Sequence, residues 1–361
     1  MKNSRSFPTT RVPMTSYRRA EPSSADTLRL DRNEGDYPPS LLLRRLATLE
    51  PDALRDYPDA FGLENAIADR FGVEAERVVV TAGADDALDR VCRAYLEPGR
   101  ELLVPIPTFE MIHRFAAAAG GDVRTVPWRE SAPTEELIRS IGADTALIAI
   151  VSPNNPTGSV VSSSDLRRIA ESADSAYVLL DHAYVEYADE DLTSTAVELD
   201  NVIVVRTFSK AWGLAGCRVG YAIAPPAIAG VIRNAGNPYP VSSLSVAVVK
   251  ERLRIGEAAM TAHVSQIRSE RERLKELLDS LGVSSPRSQG NFLFAELGDR
   301  AKYVYDALAN GGVLVRYFPT KEETRFGLRI SLPGNQSAFE RLTRVLRSCL
   351  NSSAPATTNG D

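Results

Sequence analysis

Short apolar runs alternate with amphipathic stretches through the middle of the chain. Arg77-Val-Val-Val-Thr81, Glu101-Leu-Leu-Val-Pro105, Ala146-Leu-Ile-Ala-Ile-Val151, Tyr177-Val-Leu-Leu-Asp181, Asn201 to Thr207 and Val219 to Ala224 read as strands. The unbroken apolar character of the third is that of a strand buried on both faces. Between these runs, Leu63 to Phe71, Asp85 to Tyr95, Glu110 to Ala119 and Asp165 to Ala173 read as helices, the second with apolar residues at Ala87, Leu88, Val91 and Tyr95. Gly120-Gly121 closes the helix that begins at Glu110. This alternation predicts an α/β fold, a mostly parallel mixed sheet covered by helices. A long helical region follows, Leu244 to about Leu281. The pattern then changes to a strand (Phe292 to Ala295), a helix (Ala301 to Ala309), two strands (Val313 to Tyr317, Phe326 to Leu332) and a helix (Ser337 to Leu350). That is a small α+β domain. The chain therefore divides into a flexible polar arm at 1–25, a segment at 26–48 that joins the small domain, a large domain at 49–255, an interdomain helix with the small domain at 256–350, and a disordered polar tail at 351–361.

Charge narrows the partners. The 361 residues hold 42 Lys and Arg against 47 Asp and Glu, a net −5. Such a balance excludes a protein built to neutralise the phosphates of nucleic acid and disfavours adhesion to an anionic membrane. No apolar run reaches the ~18 residues of a membrane helix, and residues 1–20 lack the apolar stretch of a signal peptide, so a soluble, cytoplasmic protein is expected. Cys92, Cys217 and Cys349 are odd in number and far apart, which gives neither a disulfide framework nor a zinc spacing. His113, His182 and His263 form no H-x-x-x-H pair, and no metal site is expected.

Four segments stand at the C-terminal ends of predicted strands, the edge at which open α/β sheets bind ligands. Thr81-Ala-Gly-Ala-Asp85 turns from strand to helix and offers the amides of a helix N-terminus to an anion, although by itself it reads as an ordinary tight turn. Ser152-Pro-Asn-Asn-Pro-Thr-Gly158 is a shaped loop that holds Asn155 at the sheet edge. Asp181 ends an apolar strand, where a carboxylate wants a cationic partner such as a protonated pyridine nitrogen; the plainer reading is a helix cap. His182 beside it reads as solvent-facing or hydrogen-bonded rather than catalytic. In the fourth segment, Thr207 to Gly220, Thr207, Ser209 and Arg218 make a phosphate cradle around Lys210. A lysine among cations is pushed toward its neutral, nucleophilic form.

These segments, in this order, resemble the fold-type-I pyridoxal-phosphate-dependent aminotransferases, and most closely the histidinol-phosphate aminotransferase branch. The resemblance runs from about Leu30 to Leu346. It rests on Leu30-Asp-Arg-Asn-Glu34, Tyr57-Pro-Asp59, Pro107-Thr-Phe109, the Asn-Asn-Pro-Thr-Gly loop, Asp181-x-Ala-Tyr184, Ser209-Lys-Ala-x-Gly-Leu-Ala-Gly-x-Arg218, Gly312-Val-Leu-Val-Arg316 and Gly327-Leu-Arg-Ile-Ser331. It implies an aspartate-aminotransferase-like fold and pyridoxal 5'-phosphate as cofactor. Lys210 would carry the cofactor and act as general acid and base. Asp181 would pair with the pyridinium nitrogen, Asn155 and Tyr184 would bond the ring's 3-oxygen, and Phe109, often Tyr in the family, would stack on the ring. The Ala84 and Asp85 amides, Thr207, Ser209 and Arg218 would hold the phosphate. Tyr57 would reach the cofactor phosphate of the neighbouring subunit in a homodimer with shared sites. Arg329 would clamp the carboxylate of the amino donor, with Arg316 and Asn33 also at the substrate.

The chain departs from the family pattern at Asn33-Glu-Gly-Asp36 (usually Asn-Glu-Asn-Pro), at His182 (usually Glu) and at Pro333 (usually Gly). The implied reaction is transamination between an amino donor and a 2-oxo acid, L-histidinol phosphate with 2-oxoglutarate. A related enzyme for an aromatic or specialised-pathway amino acid, or a threonine-phosphate-decarboxylase-like enzyme, uses the same cofactor residues. A non-catalytic ligand sensor is the reading from another class; such proteins join the fold to a DNA-binding domain, for which residues 1–27 are too short.

Overall fold

A computed structural model describes residues 26–351. The strands are β1 (Leu28–Leu30), β2 (Val78–Thr81), β3 (Glu101–Ile106), β4 (Asp122–Pro127), β5 (Thr145–Val151), β6 (Tyr177–Asp181), β7 (Val202–Thr207), β8 (Gly220–Ile223), β9 (Phe292–Glu296), β10 (Val313–Tyr317) and β11 (Gly327–Ser331). The helices are α1 (Leu41–Leu46), α2 (Asp52–Arg55), α3 (Phe61–Phe71), α4 (Ala84–Tyr95), α5 (Glu110–Ala119), α6 (Thr134–Ser140), α7 (Ser163–Ser172), α8 (Thr193–Ala196), α9 (Pro226–Asn234), α10 (Ser243–Ile255), α11 (Glu257–Ser280), α12 (Ala301–Asn310) and α13 (Gln336–Asn351).

Seven strands form one sheet in the order β2-β8-β7-β6-β5-β3-β4. Only β8 runs against its neighbours, so β2, β3, β5, β6 and β7 all end on the same edge. Alternation along each strand sends side chains to opposite faces. Val78 and Val80, Ile148 and Ile150, and Val178 and Leu180 enter one apolar cluster; Val79, Leu147, Ala149 and Leu179 enter the other. Every residue of β5 is buried. Helices cover both faces, as the apolar runs predict. A second sheet, β1-β10-β11-β9, forms the small α+β lobe. Its β1 pairs in parallel with β10, Leu28 opposite Val313, which brings the segment after residue 26 into this lobe.

Three features differ from the sequence expectations. The long helical region is two helices, broken at Gly256. Glycine, a weak helix former, caps the first helix there; a Cβ at this position would lie 2.6 Å from the side chain of buried Arg252, which donates from Nε to the Trp212 carbonyl at 3.2 Å. The strand β4 was not expected; Asp-Val-Arg-Thr-Val-Pro is polar because it is the edge of the sheet and largely exposed. The final helix extends to Asn351, one residue into the segment assigned to the tail. The arm at 1–25 and the tail at 352–361 lie outside the described residues. No helix among the described residues is long and apolar enough to cross a membrane.

Candidate active site

The strand ends build one side of a cavity of about 850 Å³. After β2 the chain turns at Gly83, whose φ of 90° lies in the left-handed region and at which a Cβ would sit 2.8 Å from Arg218 Nη2. The positive φ calls for glycine, and a side chain here would also have to displace the Arg218 guanidinium. The helix α4 begins at once, so the first-turn amides of Ala84 and Asp85 have no intrahelical partner and carry the positive end of the helix dipole. No side chain caps them. The Asp86 carboxylate is spent elsewhere, accepting from the Ala82 amide at 2.8 Å and from Arg90 at 2.8 and 3.0 Å. At the end of β7, Thr207 Oγ1 donates to Ser209 Oγ at 2.9 Å and accepts from the Ser209 amide at 3.1 Å. Arg218 has a φ of 52°, strained for a residue with a Cβ, and its Nη2 stands 3.7 Å from Asp85 Oδ2. Ala84, Asp85, Thr207, Ser209, Lys210 and Arg218 all line the cavity.

At the end of β6, Asp181 is buried, and burial pushes its carboxyl up to about 7. Its one bond to the described protein is from the Ala183 amide at 3.1 Å. His182 behaves in the opposite sense. It is also buried, but its Nδ1 bonds the Ser152 carbonyl and its Nε2 accepts from the Leu192 amide at 3.1 Å. Because an amide can only donate, Nε2 is bare and Nδ1 carries the proton. Burial, with the Arg206 guanidinium nearby, lowers its pKa to about 4. His182 is thus a neutral strut that ties β6 to the Ser152 loop, and is hydrogen-bonded rather than exposed.

The loop after β5 places Asn155, buried, with its Oδ1 accepting from Arg329 Nη1 at 2.8 Å. Sequence reading passed over its neighbour Asn154, which is fully buried. Asn154 accepts from Thr108 Oγ1 at 2.8 Å and donates to the Pro107 carbonyl at 2.8 Å and Thr157 Oγ1 at 2.9 Å. It locks the loop carrying Asn155 to the turn carrying Phe109. A doubled Asn in a Pro-flanked loop was the available signal.

From the small lobe, Arg316 and Arg329 lie directly opposite each other on β10 and β11 and both line the cavity. Like charges facing across antiparallel strands are unfavourable, so this pair fits an anion between or beside them. Arg329 Nη2 also donates to the Asp31 carbonyl at 2.6 Å. The residues 31–36 form a strap over the site. Lys210 Nζ donates to the Arg32 carbonyl at 3.0 Å. Asn33, with a φ of 55°, donates from Nδ2 to Tyr184 Oη at 3.0 Å and accepts from Ser331 Oγ at 2.5 Å. Since Tyr184 Oη accepts there, its own proton is free to donate elsewhere. The strap needs glycine at 35, where a Cβ would be 1.8 Å from the Lys210 carbonyl oxygen.

Two expected site residues stand apart from the cavity wall. Asn33 does not line the cavity but supports Tyr184 from behind. Tyr57 is 79% exposed and stacks on Tyr239 at 4.5 Å. Phe109, the residue before α5, lines the cavity with Asn155, Asp181 and Tyr184. Asp31 and Arg32, quoted within the Leu30 to Glu34 motif without a role of their own, and a loop at 318–324 are further wall elements.

Residues 26–346 match the family "Aminotransferase class I and II". A histidinol-phosphate aminotransferase of a Nostoc species is 33% identical over 339 residues, 92% of this chain and 94% of that protein. Another from Geobacillus thermodenitrificans is 31% identical over 90% of this chain and 91% of that protein. Among solved structures, the histidinol-phosphate aminotransferase of Sinorhizobium meliloti in complex with pyridoxal-5'-phosphate superposes with a TM-score of 0.82 at 25% identity, covering 90% of each chain. With the family matched over nearly all the described residues, and with the strand-edge cavity that the motifs anticipated, this chain belongs to the class I and II aminotransferases and is an enzyme that transfers amino groups.

Proposed function

We propose that this enzyme uses pyridoxal 5'-phosphate to move an amino group from L-histidinol phosphate to 2-oxoglutarate, giving imidazole acetol phosphate and L-glutamate. The observation that carries the cofactor is Asp181: a buried carboxyl with one backbone donor, on the wall of the cavity that holds Lys210. Such a group is costly to ionise without a cation against it, and a protonated pyridine nitrogen supplies one. The remaining walls fit the same group. The uncapped start of α4, the Thr207 and Ser209 hydroxyls and Arg218 suit its phosphate. The free Tyr184 proton and the Asn155 amide suit the ring's 3-oxygen, and Phe109 suits its face.

When bound, the cofactor supplies an electron sink for the bonds at the donor's α-carbon. Lys210 holds the amine that removes and returns the proton at that carbon. Arg316 and Arg329 receive the phosphate of histidinol phosphate and the carboxylates of glutamate and 2-oxoglutarate, which explains why two guanidiniums share one strand register. The names of the full-length relatives support histidinol phosphate as donor. No observation favours the decarboxylase or sensor readings.

The domain division at 49–255 and 256–350 is our reading too; the Gly256 break supports it. So is a homodimer. Tyr37, Leu43, Leu54, Tyr57 and Phe61 are large apolar side chains left exposed in one stretch of chain, an apolar surface that a second copy would cover, with Tyr57 reaching the partner's cofactor phosphate. Light scattering of the purified protein reads the mass. A cytoplasmic location goes with this reading. To test the function, the cofactor-loaded protein is mixed with single amino donors and its visible absorbance followed. Histidinol phosphate and glutamate should each bleach it; no response to histidinol phosphate sinks the donor assignment.

A further inference from the structure

The cavity has a wall that the arginine pair leaves unused and that the cofactor would meet only at Phe109. Phe109, Glu110 and His113 form one stripe at the start of α5, since residues three and four apart share a helix face, and all three line the cavity. Against this stripe stand Thr125 of β4 and the small-lobe loop with Lys321 and Glu323. The exposed Lys321 and Glu323 mark this as the mouth; the buried Asp181, Asn155 and Thr207 mark the floor. His113 is half-buried between them.

The chemistry of His113 is unspent. Burial and the Lys321 ammonium lower its pKa, against the weaker pull of Glu323 and Glu110, so the ring is neutral. A neutral imidazole has one N–H and one lone pair. Neither has a hydrogen-bond partner among the described residues, although its neighbour Glu110 is bonded to Arg114 at 3.0 Å. The open side of the ring is the cavity, where water or a ligand takes up both groups.

Resting on the transaminase reading above, we propose that His113 is a specificity-determining residue that hydrogen-bonds the distal end of the amino donor, a neutral polar heterocycle able both to give and to accept a hydrogen bond. The imidazole of histidinol phosphate is such a group. An anionic distal group is disfavoured at this wall, where the exposed Glu322 and Glu323 outnumber Lys321 and Glu110 is already paired with Arg114. Glutamate, whose carboxylates go to the arginine pair, does not need this wall.

The test compares half-reactions of the holoenzyme with three donors: histidinol phosphate, the phosphate ester of 2-amino-1-propanol, which lacks the ring, and glutamate. His113→Leu keeps the bulk and removes the bonding. It should lower kcat/KM for histidinol phosphate about tenfold, the loss of one hydrogen bond, mainly through KM. The ring-less ester and glutamate should change less than twofold. His113→Asn, which can both donate and accept, should recover most of the loss. An equal fall with all three donors, or no fall with histidinol phosphate, overturns the assignment. If the wild type converts glutamate but not histidinol phosphate, the functional reading fails instead, and the same variants, tested on the heterocyclic or aromatic donor the enzyme accepts, decide His113.

Discussion

The floor of the cavity and its mouth are made of different material. The floor comes from strand ends of one sheet, and the loops that carry its groups are held by buried bonds from behind: Asn154 to three partners, His182 to two backbone segments. The mouth comes from the first turn of α5 and a loop of the other lobe, and its charges are exposed or only paired along one helix, as Glu110 is with Arg114. Groups held from behind keep their position whatever ligand arrives, which suits chemistry common to every substrate. Loosely held charges at the rim discriminate among substrates and contribute little else.

Variants in the two regions should therefore separate. The largest effect is expected at the floor: Lys210→Ala should slow the donor half-reaction by about 10³-fold or more, measured in single turnover. A residual rate near wild type would erase the distinction. Next come the neighbours Asp181 and His182, whose effects on stability have opposite signs. The Asp181 carboxyl is raised to about 7 from 3.8, so in cofactor-stripped protein its contribution is present below pH 4 and is lost as pH rises through 7. His182 is lowered to about 4 from 6.5, so its contribution is present above pH 6.5 and is lost as pH falls toward 4. Thermal melts across pH 4 to 7 should show the Asp181→Asn and His182→Gln slopes departing from wild type in opposite directions, and matching slopes would contradict the assignment of both groups. The smallest effect belongs to the mouth: Lys321→Gln should change glutamate kcat/KM by less than about threefold. A larger loss would move Lys321 to the floor.

Much of this was legible in the chain, and the reasons divide along the same line. The strands β5 and β6 announce themselves because burial on both faces requires continuous apolar residues, and Asp181 stands out against such a run. The strand β4 was silent because an edge needs no such pattern. The break at Gly256 was marked only by a single glycine inside a continuous helical pattern. Lys210, Asp181, Asn155, Tyr184, Thr207, Ser209 and Arg218 come together in one cavity or on its rim, as their motifs imply. The strap contacts of Asp31 and Arg32 are made by carbonyl oxygens, for which any residue would serve, and His113 is a lone histidine until α5 and the loop face each other.

The pairing of Leu28 with Val313 has a consequence for how the protein is made. One strand of the small lobe is made long before its partner, with every strand of the seven-stranded sheet encoded between them. The seven-stranded sheet, whose strands lie between residues 78 and 223, can close before that. The strap that touches Lys210 is carried by the early strand and anchored by Arg329 and Ser331 of β11, so Lys210 gains its cover only at this long-range step, the kind that makes assembly slow. Newly made chains should pass through a stage in which the sheet is formed and the site still stands open.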